Sequence, residues 1–357
     1  MIAHVILDRI DVPIVLAPMA GGPSTPELAA AVSNAGGLGF LAAGYLSPEA
    51  LRDHIASAVR MTTGPLGVNL FVPGRRRPAP GVVAAYAAAL AGDASRAGVE
   101  LGQARYDDDA WDAKLALLIA DPVPVTSFTF GCPDRSVISA VQGAGSEAWV
   151  TVTTPAEARQ AAAAGADALV VQGTEAGGHR GGFTDDPADD IAGGFGLLSL
   201  LQLVRRDTPL PLVGAGGIST GAGVAAVLAA GATAAQLGTA FLRSPEAGTA
   251  QVHRDAVAKP GQTAMTRAFT GRLARGIRNQ FLDEHSQAAP AGYPEVHFLT
   301  APLRAAARST GNPELVNLWA GQTHELTTER PAAELVTLLA SEARTALAAA
   351  AGRLSQS

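Results

Sequence analysis

LPLVGAGGISTGAGVAAVLAAGATAAQLGT, residues 210–239, decides the fold. It opens with the apolar run Leu210–Gly214 and ends on a second, Ala234–Leu237, with an alanine-rich helical stretch between them. Neither run alternates apolar with polar, so both faces of each strand are to be covered. That is the signature of a parallel sheet flanked by helices. Upstream, the same rhythm recurs in Pro13–Ala17, Leu38–Ala42, Leu66–Phe71, Val123–Phe128, Ala148–Thr151 and Ala168–Gln172. Eight such units predict a closed α/β structure, a (β/α)8 TIM barrel. Helix starts are legible between them. Ser24-Thr25-Pro26-Glu27, Ser47-Pro48-Glu49 and Thr154-Pro155-Ala156-Glu157 each supply a capping hydroxyl, an early proline and an acid.

Two stretches break the rhythm. Residues 72–120 are too long for one connection and read as a loop plus two helices. Residues 240–330 follow the last strand and read as an additional helical or irregular lobe over the barrel mouth. The helix expected at Pro331–Ala350 closes the barrel, so residues 1–239 with 331–350 form one unit and 240–330 the second.

Composition narrows the function. The 357 residues are 48% hydrophobic and 16% charged, which is a globular balance, and the net charge of -6 disfavours nucleic acid or an anionic membrane as partner. Arg75-Arg76-Arg77, the one basic cluster, reads as a solvated loop. The opening MIAHVILDRIDVPIV has no signal-peptide pattern and no run is long enough for a membrane span, so a cytoplasmic location is expected. Cys132 is alone and reads as a packing residue, and no histidine pair has metal-ligand spacing, so no catalytic metal is expected. Lys114 and Lys259 lie away from predicted strand ends, which disfavours Schiff-base chemistry.

Chemistry in a parallel barrel gathers where strands end. Gly214-Ala215-Gly216-Gly217 and Gln236-Leu237-Gly238-Thr239 follow the seventh and eighth strands, each just before a helix start. Bare backbone there lets N–H groups converge on a phosphate. Asn69 and Gln172 place amides at two further strand ends, where such groups serve equally as caps of the chain or as partners of a ring edge that presents both acceptors and a donor. Between Gln172 and Phe183 lie five glycines and His179, the residue of that loop that titrates near neutrality. His179 is the candidate proton acceptor or hydrogen-bond donor. His4, His54 and His253 read as surface residues of their elements, and His285, His297 and His324 as residues in or near the lobe.

Ala17-Pro18-Met19, Ser33–Gly39, Gly67-Val68-Asn69-Leu70-Phe71 and Glu175-Ala176-Gly177-Gly178-His179 resemble nitronate monooxygenases. The resemblance continues through Gly214–Ile218, Gln236–Thr239, Phe269–Arg272, Arg275-Gly276 and Tyr293-Pro294. It implies FMN as cofactor, held by Met19, Asn69, Gln172, Gly177, Gly216, Gly217, Gln236, Leu237, Gly238 and Thr239, with His179 catalytic. It further implies a small-molecule nitronate (propionate 3-nitronate at family level) and O2 as reactants. A carbonyl compound and nitrite are the products, formed by way of a flavin semiquinone. If His179 acts as base on a neutral nitroalkane, the rate is expected to rise with pH through its pKa. The alternative is an FMN-dependent enoyl-thioester reductase using NAD(P)H, which has a similar Glu-Ala-Gly-Gly-His stretch.

Overall fold

The computed structural model describes residues 6–74, 77–188 and 193–355. Arg75, Arg76 and His4 lie outside them, while Arg77 is exposed with its guanidinium 3.2 Å from the Tyr106 ring centre. Six parallel strands come first: β1 (Ile14–Leu16), β2 (Gly39–Ala42), β3 (Leu66–Phe71), β4 (Val125–Thr129), β5 (Glu147–Val152) and β6 (Ala168–Gln172). The short β7 (Gly178–His179) interrupts the series before β8 (Leu212–Ala215) and β9 (Ala234–Leu237) complete it. The order β1-β9-β8-β6-β5-β4-β3-β2 is parallel throughout, and the Val15–Leu38 bridge brings its two ends together. The barrel is the one the sequence predicts, each strand overlapping its expected run.

Period-two alternation sorts the side chains. Inward positions near the strand starts are apolar: Val15, Phe40, Val125, Trp149, Ala168 and Val213 form a buried plug with Ile6 and Leu7 of the N-terminal turn. Glu147 fastens that turn, accepting from Ile6 N at 2.5 Å and from Trp149 Nε1 at 2.8 Å. The strand ends on the opposite side instead carry Asn69, Thr129, Thr151, Gln172 and Gln236, which line a cavity. Outward positions pack against the surrounding helices in a second, larger core. No helix among the described residues is long and apolar enough to cross a membrane.

Two stretches depart from expectation. Residues 72–120 hold helices at Pro80–Ala89, Ala91–Ala97 and Trp111–Ala120, one more than the sequence suggested. The last of these packs on β3 as an ordinary barrel helix. Val83, Tyr86 and Leu90 instead share a core with Phe269, Phe281, Val296, Leu299 and Leu303, so the insertion after β3 and the segment after β9 are packed together. That later segment also contains strands, β10 (Thr263–Thr266) and β11 (Ala274–Ile277), which form an antiparallel sheet with β7. The helix Ala332–Leu354 packs against Pro26–Asn34 and Gly221–Ala229, burying Leu335, Val336 and Leu339.

Candidate active site

A cavity of about 430 Å³ sits at the C-terminal ends of the barrel strands. All the residues singled out from sequence line it: Met19, Asn69, Gln172, Gly177, His179, Gly216, Gly217, Gln236, Leu237, Gly238 and Thr239.

The glycine turns after β8 and β9 form one wall. Gly216 (φ 117°) and Gly217 (φ 66°) adopt backbone that side chains disfavour. The N–H groups of Gly217, Gly238 and Thr239 have no acceptor among the described residues. Thr239 also opens the short 3-10 turn Thr239–Phe241, whose free amides favour an anion. Thr239 Oγ1 accepts from Gly321 N at 3.0 Å, which ties this wall to the segment after β11.

The strand-end amides differ from one another. Asn69 Nδ2 donates to Ser127 Oγ and Thr129 Oγ1, both at 2.9 Å, so its carbonyl oxygen is left as an acceptor. Gln172 is spent on the glycine-rich loop: Nε2 donates to His179 O at 3.1 Å, and Oε1 accepts from Gly181 N at 2.8 Å. Gln236 is 7% exposed, and its amide has no side-chain partner among the described residues. Three amides that look alike in sequence thus have three roles: an acceptor, a loop anchor and an unengaged group.

The glycine-rich loop is fastened rather than free. His179 pairs with Ala274 and Gly178 with Arg275 in the small sheet, and Arg180 N donates to Leu273 O at 2.9 Å. Arg275 Nε donates to Thr174 O at 2.9 Å, and Arg272 Nε to Arg180 O at 3.2 Å. A Cβ on Gly177 would lie 2.5 Å from the backbone of Ala320 and Gly321, so this glycine is required by close packing of two chain segments.

His179 Nε2 lies 2.8 Å from Thr270 Oγ1. Its other ring nitrogen, Nδ1, has no partner among the described residues. Phe130, Tyr293 and Trp319 surround the ring at centroid distances of 5.7, 5.7 and 5.6 Å. Burial, then the nearby Arg272 and Arg304 cations, push the His179 pKa down to about 3. The imidazole is therefore neutral throughout the neutral pH range, and the expected rise of rate through a pKa near neutrality is displaced far to acid.

Several lining residues were not identified from sequence. Tyr45 (φ 68°) and Phe130 (φ 77°) hold strained backbone at the cavity wall, a pattern associated with functional sites. Asp109 Oδ1 accepts from Tyr45 N at 2.8 Å, and Lys114 holds Asp109 at 2.8 Å. Lys114 also donates to Ala43 O at 2.9 Å, so it does reach the end of β2, although not the cavity. His297, Arg304 and Arg308 line the far wall, presented by the helix Glu295–Ser309. With Ala301 they form a stripe at spacings of four, three and four, which one helix face produces. The stripe is visible in sequence, but the direction it faces is not. His253, expected at the surface, is 9% exposed and lines the cavity with Nε2 2.9 Å from Trp319 O. Cys132 stays half-buried, bonded to Pro133 O at 3.4 Å, with burial pushing its thiol up to about 11.

A barrel that gathers polar strand ends, unpaired backbone amides and a neutral imidazole around one enclosed space is a (β/α)8-barrel enzyme. Its family follows from comparison with known proteins. The sequence profile described as nitronate monooxygenase matches residues 5–342. A probable nitronate monooxygenase of Staphylococcus aureus (strain Newman) is 38% identical over 328 residues, covering 90% of this chain and 92% of that protein. The crystal structure of nitroalkane oxidase from Streptomyces ansochromogenes superposes with a TM-score of 0.93 at 53% identity, covering 96% of this chain and 99% of that one. FabK from Thermotoga maritima superposes with a TM-score of 0.76 at 27% identity, covering 97% of each chain. The chain belongs to the nitronate monooxygenase family and is an oxidoreductase of that kind.

Proposed function

We propose that this protein uses FMN and O2 to oxidise alkyl nitronates, propionate 3-nitronate among them, to a carbonyl compound and nitrite. The observation that carries the reading is the cavity itself, in which a neutral His179 faces the same space as the amide cradle of Gly217, Gly238 and Thr239. We take residues 1–239 with 331–350 as the barrel unit and 240–330 as the lobe over its mouth.

The residues present fit the cofactor. Free amides after β8 and β9 match a phosphate, and the carbonyl of Asn69 and the amide of Gln236 match the polar edge of the ring. Met19, Gly177, Gly216 and Leu237 complete the wall, and Gln172 acts by holding the loop. When bound, FMN supplies the redox chemistry.

The chain positions the substrate and handles its proton. A neutral imidazole has one donor and one acceptor nitrogen. If Thr270 donates to Nε2, the Nδ1 proton is available to a nitro oxygen. If Nε2 donates to Thr270, the hydroxyl donates its own hydrogen bond to Arg272 O at 3.3 Å, and Nδ1 is free to take the α-proton of a neutral nitroalkane. Both tautomers are accommodated by one threonine. The aromatic wall of Phe130, Tyr293 and Trp319 packs around the ring and leaves it only partly exposed to the cavity.

The test is oxygen uptake and nitrite release with propionate 3-nitronate, without any nicotinamide, for wild type and His179→Asn. Uptake with nitronate is expected, with asparagine keeping that reaction within about tenfold and losing about 10²-fold or more on neutral nitroalkane, the scale of a lost general base. Wild-type rates on the neutral substrate are expected to be flat between pH 6 and 8 as far as His179 is concerned, because burial and then Arg272 and Arg304 push its pKa down to about 3. Consumption of NADH with an enoyl thioester, and none of nitronate, would overturn the reading in favour of a reductase.

A further inference from the structure

Arg304 is 5% exposed and lines the cavity. Its donors meet neutral groups throughout: Nε reaches Thr300 Oγ1 at 3.0 Å and Nη2 reaches His297 O at 2.7 Å. Nη1 has only a 3.5 Å contact with Asn317 Oδ1, which leaves N–H capacity unspent. The other buried cations here have an anion to hand. Lys114 pairs with Asp109 at 2.8 Å and Arg267 with Asp185 at 2.5 Å. Arg180, Arg272 and Arg275 each feel Glu157, Glu175 or Asp185. Among the described residues, Arg304 has no carboxylate partner. Its charged neighbour is a second cation, Arg308, which reaches Asn317 Oδ1 at 3.2 Å from the exposed end of the same helix face.

A buried guanidinium without a counter-ion is costly, and one partner of the pair missing from the protein is accounted for by an anion that arrives. His179 does not supply positive charge here, being neutral above a pKa of about 3. His297, stacked on Tyr45 at 4.3 Å, is likewise neutral, its pKa held down to about 2 by burial and then by Arg304. Arg304 retains its proton at neutral pH even though burial lowers its pKa to about 10. A nitronate carries one negative charge and its parent nitroalkane none.

Resting on the nitronate reading above, we propose that Arg304 is the counter-cation for an anionic group of the substrate and sets the preference for nitronate over neutral nitroalkane. Arg308, at the rim, draws the anion in.

The holoenzyme variants Arg304→Gln and Arg304→Lys test this. The substrates are propane-2-nitronate, propionate 3-nitronate and neutral 2-nitropropane, with calorimetric binding of nitrate and propionate as a readout free of turnover. Arg304→Gln is expected to raise KM for nitronates about 100-fold, the scale of losing one member of a buried charge pair. In that variant kcat stays within a few-fold, and KM for 2-nitropropane within about twofold. Arg304→Lys restores part of the loss. An effect on both nitronates assigns the nitronate head to Arg304 and upholds the proposal; an effect confined to propionate 3-nitronate assigns the carboxylate instead and overturns the claim that Arg304 sets the nitronate preference. Equal losses on charged and neutral substrates would make Arg304 a staple between Thr300, His297 and Asn317 and overturn it, as would unchanged KM. If the wild type oxidises neither nitronate, the functional reading fails separately. Nitrate or propionate binding that vanishes in Arg304→Gln would still uphold the anion site, and binding that survives would sink it.

Discussion

At the scale of single residues, the cavity is shaped by groups that never enter it. Lys114 is 1% exposed, and its charge is spent on Asp109 and Ala43 O, both at under 3 Å. Asp109 in turn holds the strained backbone of Tyr45. Lys114→Met removes one member of a buried pair and leaves the Asp109 carboxylate, whose pKa burial already raises, without its cation. The expected cost is on the order of 3 kcal/mol of stability. It should be accompanied by weaker substrate binding as Tyr45 relaxes. Denaturant titration checks the first, and a melting curve indistinguishable from wild type would remove Lys114 from this role.

At the scale of elements, the glycine turn after β8 is fixed by two demands. Gly217 has φ 66°, and a Cβ there would sit 2.8 Å from Glu175 Cβ. Glu175 is itself committed, accepting from Leu197 N at 2.9 Å at the start of the helix Leu197–Asp207. Gly217→Ala therefore has to distort either the turn or that cap. The expected result is a folded protein whose flavin content after purification falls at least tenfold, read from visible absorbance per chain. Full flavin occupancy in that variant would show that the turn does not cradle the phosphate. β7 makes the complementary point. Its two residues are too few to read as a strand, yet pairing with β11 is what holds His179 at the cavity.

At the scale of the whole molecule, three histidines are folded in the neutral form. Burial holds His179, His253 and His297 down to about 3, 4 and 2. The unfolded chain binds these protons near pH 6.5 and the folded chain does not, so stability is fully present above 6.5 and is lost as pH falls toward 4. The dependence of unfolding free energy on pH in that window should diminish by up to about one proton in His253→Gln. Urea titrations at pH 7, 6, 5 and 4 measure it, and a slope unchanged by the substitution would mean that His253 takes up its proton while folded.

The sequence by itself determined the barrel and most of the wall of its site. Runs apolar on both faces, such as Leu210–Gly214, need a parallel sheet covered by helices, eight such units point to a closed barrel, and Gly216 and Gly217 just after one of them mark a backbone turn open to an anion. These signals are local, carried by period, caps and turn chemistry within a few residues. Tertiary structure alone decided the wall facing them. His297 and Arg304 form a helical stripe, and His253 sits on another helix, but nothing within either helix states which neighbour its face will meet. Packing of the insertion after β3 onto the segment after β9 orients them, through contacts such as Tyr86 Oη donating to Ala268 O across 182 residues. The same holds for the proton affinity of His179. Its residue type promised a group titrating near neutrality, and burial beside two arginines, a long-range property of the fold, removed it from that range.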